Sequence, residues 1–429
     1  MKKSVFAILP FLYQFAMVFG FVSRMRLGPL TSLRLTLLVA LIVTIVKWKE
    51  VIRLLKCIDR AKLRTSLWLL LGCLLITLFH SFEPHNINYE YFDPSDVIII
   101  LISMMIMGAW TGVTFNSFER FAWIMVTVGV VQSMSVFAAA LNPEFKFFIT
   151  EHFFDEGFAE KANSAFMEGL ARSSGIGIAW SSGSLVLAYC CFALVGLKVE
   201  IKVSTLWFGV LFALMAGATA LVGRSGLIVE IGLLLFYGIF TGKVKNVFAL
   251  ILVAIIGLIV FNQVMSYLDP FVAESTQKWV LGFMDSDKIS HTNEGIIKEG
   301  FPDFSSRFVF GTGVEFGRYD GQSFYADSGY IKSYTSIGVV GMLCYYLGML
   351  YLLISTFPKR QHNKHQFFLW VAIAAIYFME YKEPFISMFV YTWVIFVMGL
   401  LWKKEQRKAI YENINSGRLR SQKQIVAVS

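Results

Sequence analysis

Twelve stretches of fifteen or more mostly apolar residues run along the chain of 429 residues, and short polar segments separate them. About 20 apolar residues cross a bilayer core of about 30 Å as a helix, because a helix rises 1.5 Å per residue. The pattern therefore predicts an all-α polytopic integral membrane protein, a single membrane domain over residues 1–429 with about 12 transmembrane helices. The predicted spans are 4–22, 29–46, 66–80, 96–110, 121–141, 176–197, 203–221, 226–240, 247–264, 334–356, 366–380 and 385–402.

Basic residues are concentrated in every second connecting segment, which is typical of an alternating membrane topology. Residues 47–65 hold seven Lys and Arg against two acids, so this segment is expected to be cytoplasmic. Counting spans from there places residues 198–202, 243–245, 359–364 and 403–408 on the same side, with both termini cytoplasmic. The positive charge of these segments exceeds the net charge of +9 of the whole chain, and its concentration in them argues against nucleic acid as a partner.

The basic segment 47–65 also has an apolar stripe, since Leu54, Ile58 and Ala61 fall on one face of a helix. A helix lying on the inner leaflet is one interpretation of this stripe. An irregular basic loop is the other, and the sequence leaves both open.

Two long loops are expected on the opposite, periplasmic side. They cover residues 142–175 and residues 265–333, the second lying between helices 9 and 10. A loop as long as the second is usually functional or folded in its own right. Its residues 271–284 have an amphipathic pattern that predicts a short helix, and a glycine-rich, turn-forming region follows.

Arginines on the periplasmic side are informative, because orientation rules disfavour them there. Arg224 lies in the turn Gly223-Arg224-Ser225-Gly226 between two spans, and Arg172 opens a Ser- and Gly-rich turn just before a span. A guanidinium offers a planar fork of donors that matches phosphate oxygens. The alternatives are an arginine that reaches the lipid headgroups from a helix end and an ordinary capped helix start.

The segment 311–330 mixes glycines, aromatic residues, carboxylates and one arginine, a combination that suits sugar binding. Asp327, just before a predicted span, is a candidate general base for a hydroxyl, with Glu315 and Asp320 as alternates. The alternative for Asp327 is a structural role as a helix N-cap, which is common for Asp. Arg307 and Arg318 lie in the same loop.

Other motifs of enzyme sites are missing from the sequence. It contains no Walker loop, no GxSxG and no dinucleotide fingerprint, and its histidines and cysteines lack metal-ligand spacing. The sequence therefore predicts neither cofactor nor metal. Charged residues in or beside the spans are expected to face the bundle interior because membrane burial is costly, although solvation is the alternative for the Glu380 and Glu383 turn. These residues are Glu230, Glu380, Lys382 and Glu383.

The chain resembles the Wzy-type O-antigen polymerases, which share a superfamily with the O-antigen ligases. The resemblance rests on the predicted spans, on the Gly-Arg-Ser-Gly turn, and on a permissive Arg-x10-Gly pattern, met here by Arg172…Gly183 and Arg318…Gly329. The ligases place a histidine one residue before an Asn, Ser or Gln and eleven before a Gly. This chain has Asp327, Ser328 and Gly338 in that frame. The Asp in place of the histidine favours the polymerases. The catalytic role of the ligase histidine therefore does not carry over to Asp327.

The resemblance implies a reaction at the periplasmic face of the bacterial inner membrane. A growing glycan leaves undecaprenyl diphosphate and joins a new undecaprenyl-diphosphate-linked repeat unit, without a metal or cofactor. Arg172, Arg224 and Arg318, with Arg307 as a weaker candidate, would neutralise the departing diphosphate. Asp327, Glu315 or Asp320 would serve as the base. A chain-length regulator and a flippase in the same membrane are the implied protein partners.

Two other functions remain open at this point. The related ligase would transfer the finished glycan to lipid A core. A lipid-linked oligosaccharide flippase or transporter is a different class, although twelve-span transporters of the major facilitator type usually keep their long central loop inside.

Overall fold

A computed structural model describes residues 2–27, 30–82, 90–91, 94–154, 173–178, 180–200, 203–241, 263, 309–319, 322–324, 328–358, 363–386 and 389–428. Within these ranges the chain is a helical bundle with a few short strands. The helices are α1 (Lys2–Ser23), α2 (Ser32–Val46), α3 (Trp48–Leu55), α4 (Arg60–Ser81), α5 (Pro94–Thr114), α6 (Phe118–Leu141), α7 (Pro143–Phe153), α8 (Trp180–Glu200), α9 (Thr205–Val222), α10 (Arg224–Thr241), α11 (Gly329–Ile354), α12 (Asn363–Met379) and α13 (Phe389–Val428).

These helices overlap eleven of the twelve predicted spans, while the ninth, 247–264, lies outside the described residues apart from Gln263. The predicted helix 271–284 also lies outside them. Within the described part, six helices are long and apolar enough to cross a membrane, and four shorter apolar helices accompany them. The helical, membrane-embedded class is therefore confirmed, and the count of twelve crossings stays a prediction. The six are Arg60–His80, Val97–Thr114, Phe118–Leu141, Ser182–Glu200, Thr205–Val222 and Gly329–Ile354.

The core of the bundle is built around α8, which packs against α6, α9 and α10. Every residue from 183 to 197 is buried, so this helix is enclosed on all sides. A helix that is apolar around its whole circumference is expected in such a position. The central position of α8 matters for the site, because its N-terminal turn contacts α9, α10 and α13.

One end of the bundle, which we call the basic end, is held together by charged residues of α13. Lys404 Nζ donates to the main-chain oxygens of Gly112 and Phe115, at 2.8 and 3.1 Å, where α5 finishes. Glu405 Oε1 accepts from the main-chain N–H of Phe118, at 2.9 Å, where α6 begins. These side chains satisfy backbone groups that a helix end leaves without an intrahelical partner.

Further contacts bring more of the predicted cytoplasmic segments to this end. Lys403 Nζ donates to the main-chain oxygen of Ser355 at 2.8 Å, and Arg407 Nη1 to that of Lys56 at 2.7 Å. His365 and Glu200 form an ion pair there. Basic segments that are distant in the sequence thus meet on one side, in agreement with the alternating pattern of charge.

Replacing Lys404 by Met is expected to destabilise the protein by about 1–3 kcal/mol, because two carbonyl groups lose a buried donor. Burial lowers the pKa of Lys404, in keeping with its inward position. Thermal unfolding of the purified protein in detergent measures the change. Lys408→Met is the matched control, since the Lys408 side chain is 78% exposed and should move the stability by no more than about 0.5 kcal/mol. Equal melting temperatures for the two variants would contradict the capping role.

The basic segment 47–65 is helical over α3, so the loop interpretation is wrong there. Its apolar face packs on protein rather than lipid, because Val51 and Leu54 are buried and Leu54 lies against Gly112 of α5. The following helix, α4, begins at Arg60, six residues before the predicted span. Asp59 explains this early start, since its side chain accepts from the main-chain N–H groups of Ala61 and Lys62.

The opposite end, which we call the sheet end, carries structure that an all-α prediction omits. A two-residue hairpin pairs β1 (Arg26–Leu27) with β2 (Leu30–Thr31). An antiparallel sheet has the order β3 (Glu90–Tyr91), β4 (Val314–Tyr319) and β5 (Gln322–Phe324). This sheet joins the α4–α5 connection to the predicted loop 265–333. The predicted loop 142–175 begins with helix α7, capped by the Asn142 side chain.

Helix α11 is broken at Gly338, whose φ of 68° and ψ of −179° are not helical. Ser333 Oγ and Tyr346 Oη are 3.0 Å apart, and the rings of Tyr330 and Tyr346 are separated by 5.0 Å. In a straight helix, residues 13 positions apart would be separated by about 20 Å along the axis. The first part, residues 329–337, therefore folds back along the second, residues 339–354.

The break is stabilised by an extended segment, residues 309–313. The main-chain N–H groups of Thr312 and Gly313 donate to the oxygens of Thr335 and Ser336, at 2.8 and 2.9 Å. These carbonyls lose helical partners where the helix bends. Backbone groups buried away from water need such partners, which explains why an irregular segment packs against this point.

Candidate functional site

Residues 173–178, which follow Arg172 in the sequence, form a turn fixed by Gln132 of α6. The Gln132 amide nitrogen donates to the Ile176 main-chain oxygen and to Ser23 Oγ, at 2.9 and 2.7 Å, while its oxygen accepts from the Ile176 N–H at 2.9 Å. Gly177, with φ of 67°, lies so close to Ser23 that a Cβ would overlap the Ser23 main-chain oxygen. Only glycine suits this position, where a left-handed conformation and a close approach coincide.

Gly223 alone connects α9 to α10, so the sequence prediction of a tight turn at residues 223–226, the arginine turn, is confirmed. The Gly226 N–H donates to Ser184 Oγ of α8 at 3.1 Å, and a Cβ on Gly226 would overlap the Ser184 main-chain oxygen. The Ser173 N–H donates to the Leu221 oxygen at 3.2 Å. The chain just after Arg172 therefore lies against the end of α9, close to the arginine turn.

A second turn, residues 380–386 between α12 and α13, approaches the arginine turn. Lys382 Nζ donates to Ser225 Oγ at 2.8 Å, and Ser225 is buried. Tyr391, at the start of α13, donates its hydroxyl to the Ser182 main-chain oxygen of α8 at 2.7 Å. An ammonium group thus lies beside the N-terminal turn of α10, where helix N–H groups and the helix dipole favour anions.

The same α12–α13 turn holds the start of α11 through Glu380, which is 1% exposed. The Gly329 N–H donates to the Glu380 main-chain oxygen at 2.9 Å. In its side chain, Oε1 accepts from the Tyr346 hydroxyl at 2.9 Å and Oε2 accepts from the Ile386 N–H at 2.7 Å.

The start of α11 is relevant because Asp327 precedes it in the sequence. Ser328 occupies the N-cap position, and its side chain makes no capping hydrogen bond. The N-cap of α11 is therefore Ser328 and not Asp327. Among the described residues, Ser328 Oγ is buried without a hydrogen-bond partner.

The predicted site residues fall into two groups. For Arg224, Glu315 and Arg318 only the backbone is described, and Arg172, Arg307, Asp320 and Asp327 lie outside the described residues. The described neighbours of Arg172, Arg224 and Asp327 are linked by the contacts of Ser173, Ser225 and Gly329. Strand β4, which carries Glu315 and Arg318, begins elsewhere, at the break of α11, where Gly313 lies against His80 and Ser336.

Sequence reasoning undervalued two residues of the α12–α13 turn. Solvation was one expectation for Glu380, and the structure instead buries it beneath the start of α11. Lys382 was noted only as a charge beside a span, yet it contacts the arginine turn. The sequence did contain a signal for these residues: an acid and a base lie between two apolar stretches, and the few residues between them leave little room for a solvated loop.

Glu230 lies in the interior of the bundle, as expected for a charge inside a span. It is 1% exposed, and its Oε1 accepts from Thr219 Oγ1 at 2.7 Å. It lies about one helical turn beyond the arginine turn and contacts α9. Within the part of the chain that the structure describes, no three His, Cys, Asp or Glu side chains form a group able to hold a metal ion.

Comparisons with protein-family models, with curated proteins and with solved structures gave no match to this chain.

Proposed function

We propose that the chain is a metal-independent integral membrane glycosyltransferase that polymerises lipid-linked oligosaccharide repeat units. The sheet end would face the periplasm and the basic end the cytoplasm of a bacterial inner membrane, with both termini cytoplasmic. The substrates would be glycans on undecaprenyl diphosphate, bound from the bilayer. A chain-length regulator and a flippase in the same membrane would act with the enzyme.

The observation that carries this proposal is the chain of contacts at the sheet end. Three residues chosen from the sequence, Arg172, Arg224 and Asp327, are 52 or more positions apart. Their described neighbours are nevertheless connected, through Leu221, Lys382 and Glu380, by direct hydrogen bonds and short turns. This placement supports a site with cations on one side and a carboxylate on the other.

Such a site suits the transfer of a glycan from a diphosphate. The acceptor hydroxyl oxygen would bond to the anomeric carbon of the donor glycan, and the bond from that carbon to the diphosphate oxygen would break. The bonding electrons would leave with undecaprenyl diphosphate, and the hydroxyl proton would pass to the base, Asp327 in this proposal. Arg172, Arg224 and Lys382 would neutralise the charge that develops on the leaving group.

An assay with purified protein and a synthetic undecaprenyl-diphosphate-linked repeat unit tests the function. We expect a ladder of longer glycans that remain on the lipid and a matching release of undecaprenyl diphosphate. Addition of lipid A core as an acceptor separates the related reaction, since a ligase would move glycan to the core without forming the ladder. Absence of any glycan transfer, with movement of the lipid across vesicle membranes, would support a flippase and overturn the proposal.

A further inference from the structure

Glu380 is more completely engaged than a surface carboxylate in a short turn would be. Both of its oxygens accept hydrogen bonds, one from the Tyr346 hydroxyl and one from the Ile386 N–H. The carboxyl group is thus held from two sides, by a side chain of α11 and by the main chain of the α12–α13 turn.

Glu380 also connects the two parts of the bent helix α11. Its main-chain oxygen accepts from Gly329 at the start of residues 329–337, and its side chain accepts from Tyr346 in residues 339–354. A Cβ on Gly329 would overlap Oε1, so the absence of a side chain there permits the contact. Ser333 extends the same network, since its hydroxyl is 3.0 Å from that of Tyr346.

We propose that Glu380 is a positioning residue of the transfer reaction, whose carboxyl group holds α11 against the α12–α13 turn. This inference rests on the proposed function. The same turn carries Lys382, which contacts Ser225 of the arginine turn. Glu380 therefore fixes the spacing between the cationic side of the site and the point where the chain passes from Asp327 into α11.

Its burial separates this role from direct catalysis. The side chain is enclosed and both oxygens are occupied within the protein, so it acts through α11 and not on the sugar. A glutamine can keep both contacts, because its oxygen can accept from the Ile386 N–H while its amide nitrogen donates to the Tyr346 hydroxyl oxygen. Glu380→Met has a similar size and removes both acceptors, which leaves the Ile386 N–H without its partner.

The test compares Glu380→Met, Glu380→Gln and Tyr346→Phe with the wild type in the polymerisation assay. A displacement of about 1 Å in a positioned group can cost about 100-fold in rate. We expect Glu380→Met, which removes both acceptors, to lower kcat by that order and to leave KM for the lipid-linked donor near the wild-type value. Glu380→Gln can keep both contacts and should retain most of the rate, while Tyr346→Phe removes one donor and should lower kcat by a smaller factor.

Tyr381→Phe is the matched control, because the Tyr381 side chain lies in the same turn and is 46% exposed. It should keep the wild-type rate. A Glu380→Met enzyme with the wild-type rate, or one whose loss of rate matches its loss of folded protein, would overturn the positioning role.

Hydrogen exchange of peptides covering residues 328–337 separates this inference from the proposed function. Glu380→Met should speed their exchange by about tenfold or more, because each 1.4 kcal/mol of lost local stability is a factor of ten. If the wild type does not elongate glycans, the proposed function fails, and this exchange still decides the structural role. Unchanged exchange would overturn it whatever the activity.

Discussion

Replacing Arg224 by Ala is expected to leave the protein in the membrane and to reduce its glycan product to single repeat units. A guanidinium at the start of α10 would neutralise the charge that grows on the departing diphosphate, and Lys382 alone would not reproduce its fork of donors. Loss of one such electrostatic contact typically costs about 100- to 1,000-fold in rate. Gel separation of glycans from a producing strain, with immunoblots of membrane fractions, measures both parts of the expectation.

The matched control is Arg34→Ala, because Arg34 is an exposed arginine in the first turn of α2 at the same end of the bundle. It should leave the length distribution of the glycans unchanged. Arg224→Lys keeps the charge but not the planar fork, so its products should be of intermediate length. Long glycans at the normal level from Arg224→Ala would remove this residue from the diphosphate site, and loss of single repeats as well would point to the ligase reaction.

Helix positions were predictable because apolar periodicity and charge act locally. Each apolar stretch needs an internally hydrogen-bonded backbone in a membrane, so helices such as α6 and α9 follow directly from their composition. Starts and ends were less accurate where a capping side chain decides them. Asp59 begins α4 earlier than its apolar residues indicate, and charged residues of α13 hold the ends of α5 and α6 from a distant part of the chain.

The bend in α11 had no comparable signal in the sequence. Residues 334–356 were predicted as one span, and Gly338 was noted only as part of a motif. Glycine in a helix is a weak sign, since it is tolerated at a cost of about 1 kcal/mol. The bend depends on residues 309–313, which supply hydrogen bonds to the broken helix from an earlier loop. A contact of this kind depends on tertiary structure, so local sequence propensity does not predict it.

The candidate site shows the same division. Arg224 was identifiable because the rules of membrane orientation make an arginine unusual between two spans on the periplasmic side. The structural roles of Glu380 and Lys382 were harder to predict, because exposure to solvent explains a short polar turn equally well. Their importance appears only when α11 folds back and brings Gly329 and Tyr346 to one carboxylate.

Replacing Gly226 by Ala is expected to destabilise the protein by about 1–3 kcal/mol, although alanine normally favours a helix over glycine. The new Cβ would overlap the main-chain oxygen of Ser184, and neither helix can relieve that contact by moving a side chain. The close approach of α10 to α8 also places Ser225 within reach of Lys382, so activity should fall with stability. Thermal unfolding in detergent and the polymerisation assay measure the two effects.

Gly232→Ala provides the control on the same helix, since a Cβ there meets no atom within 4 Å. This variant should gain about 0.5–1 kcal/mol from helix propensity and keep full activity. The opposite signs of the two substitutions separate a packing effect from a general effect of alanine on α10. If Gly226→Ala were as stable as Gly232→Ala, the contact between α8 and the arginine turn would be looser than the structure shows. The contacts that connect Ser173, Ser225 and Gly329 would then no longer be held in place by α8.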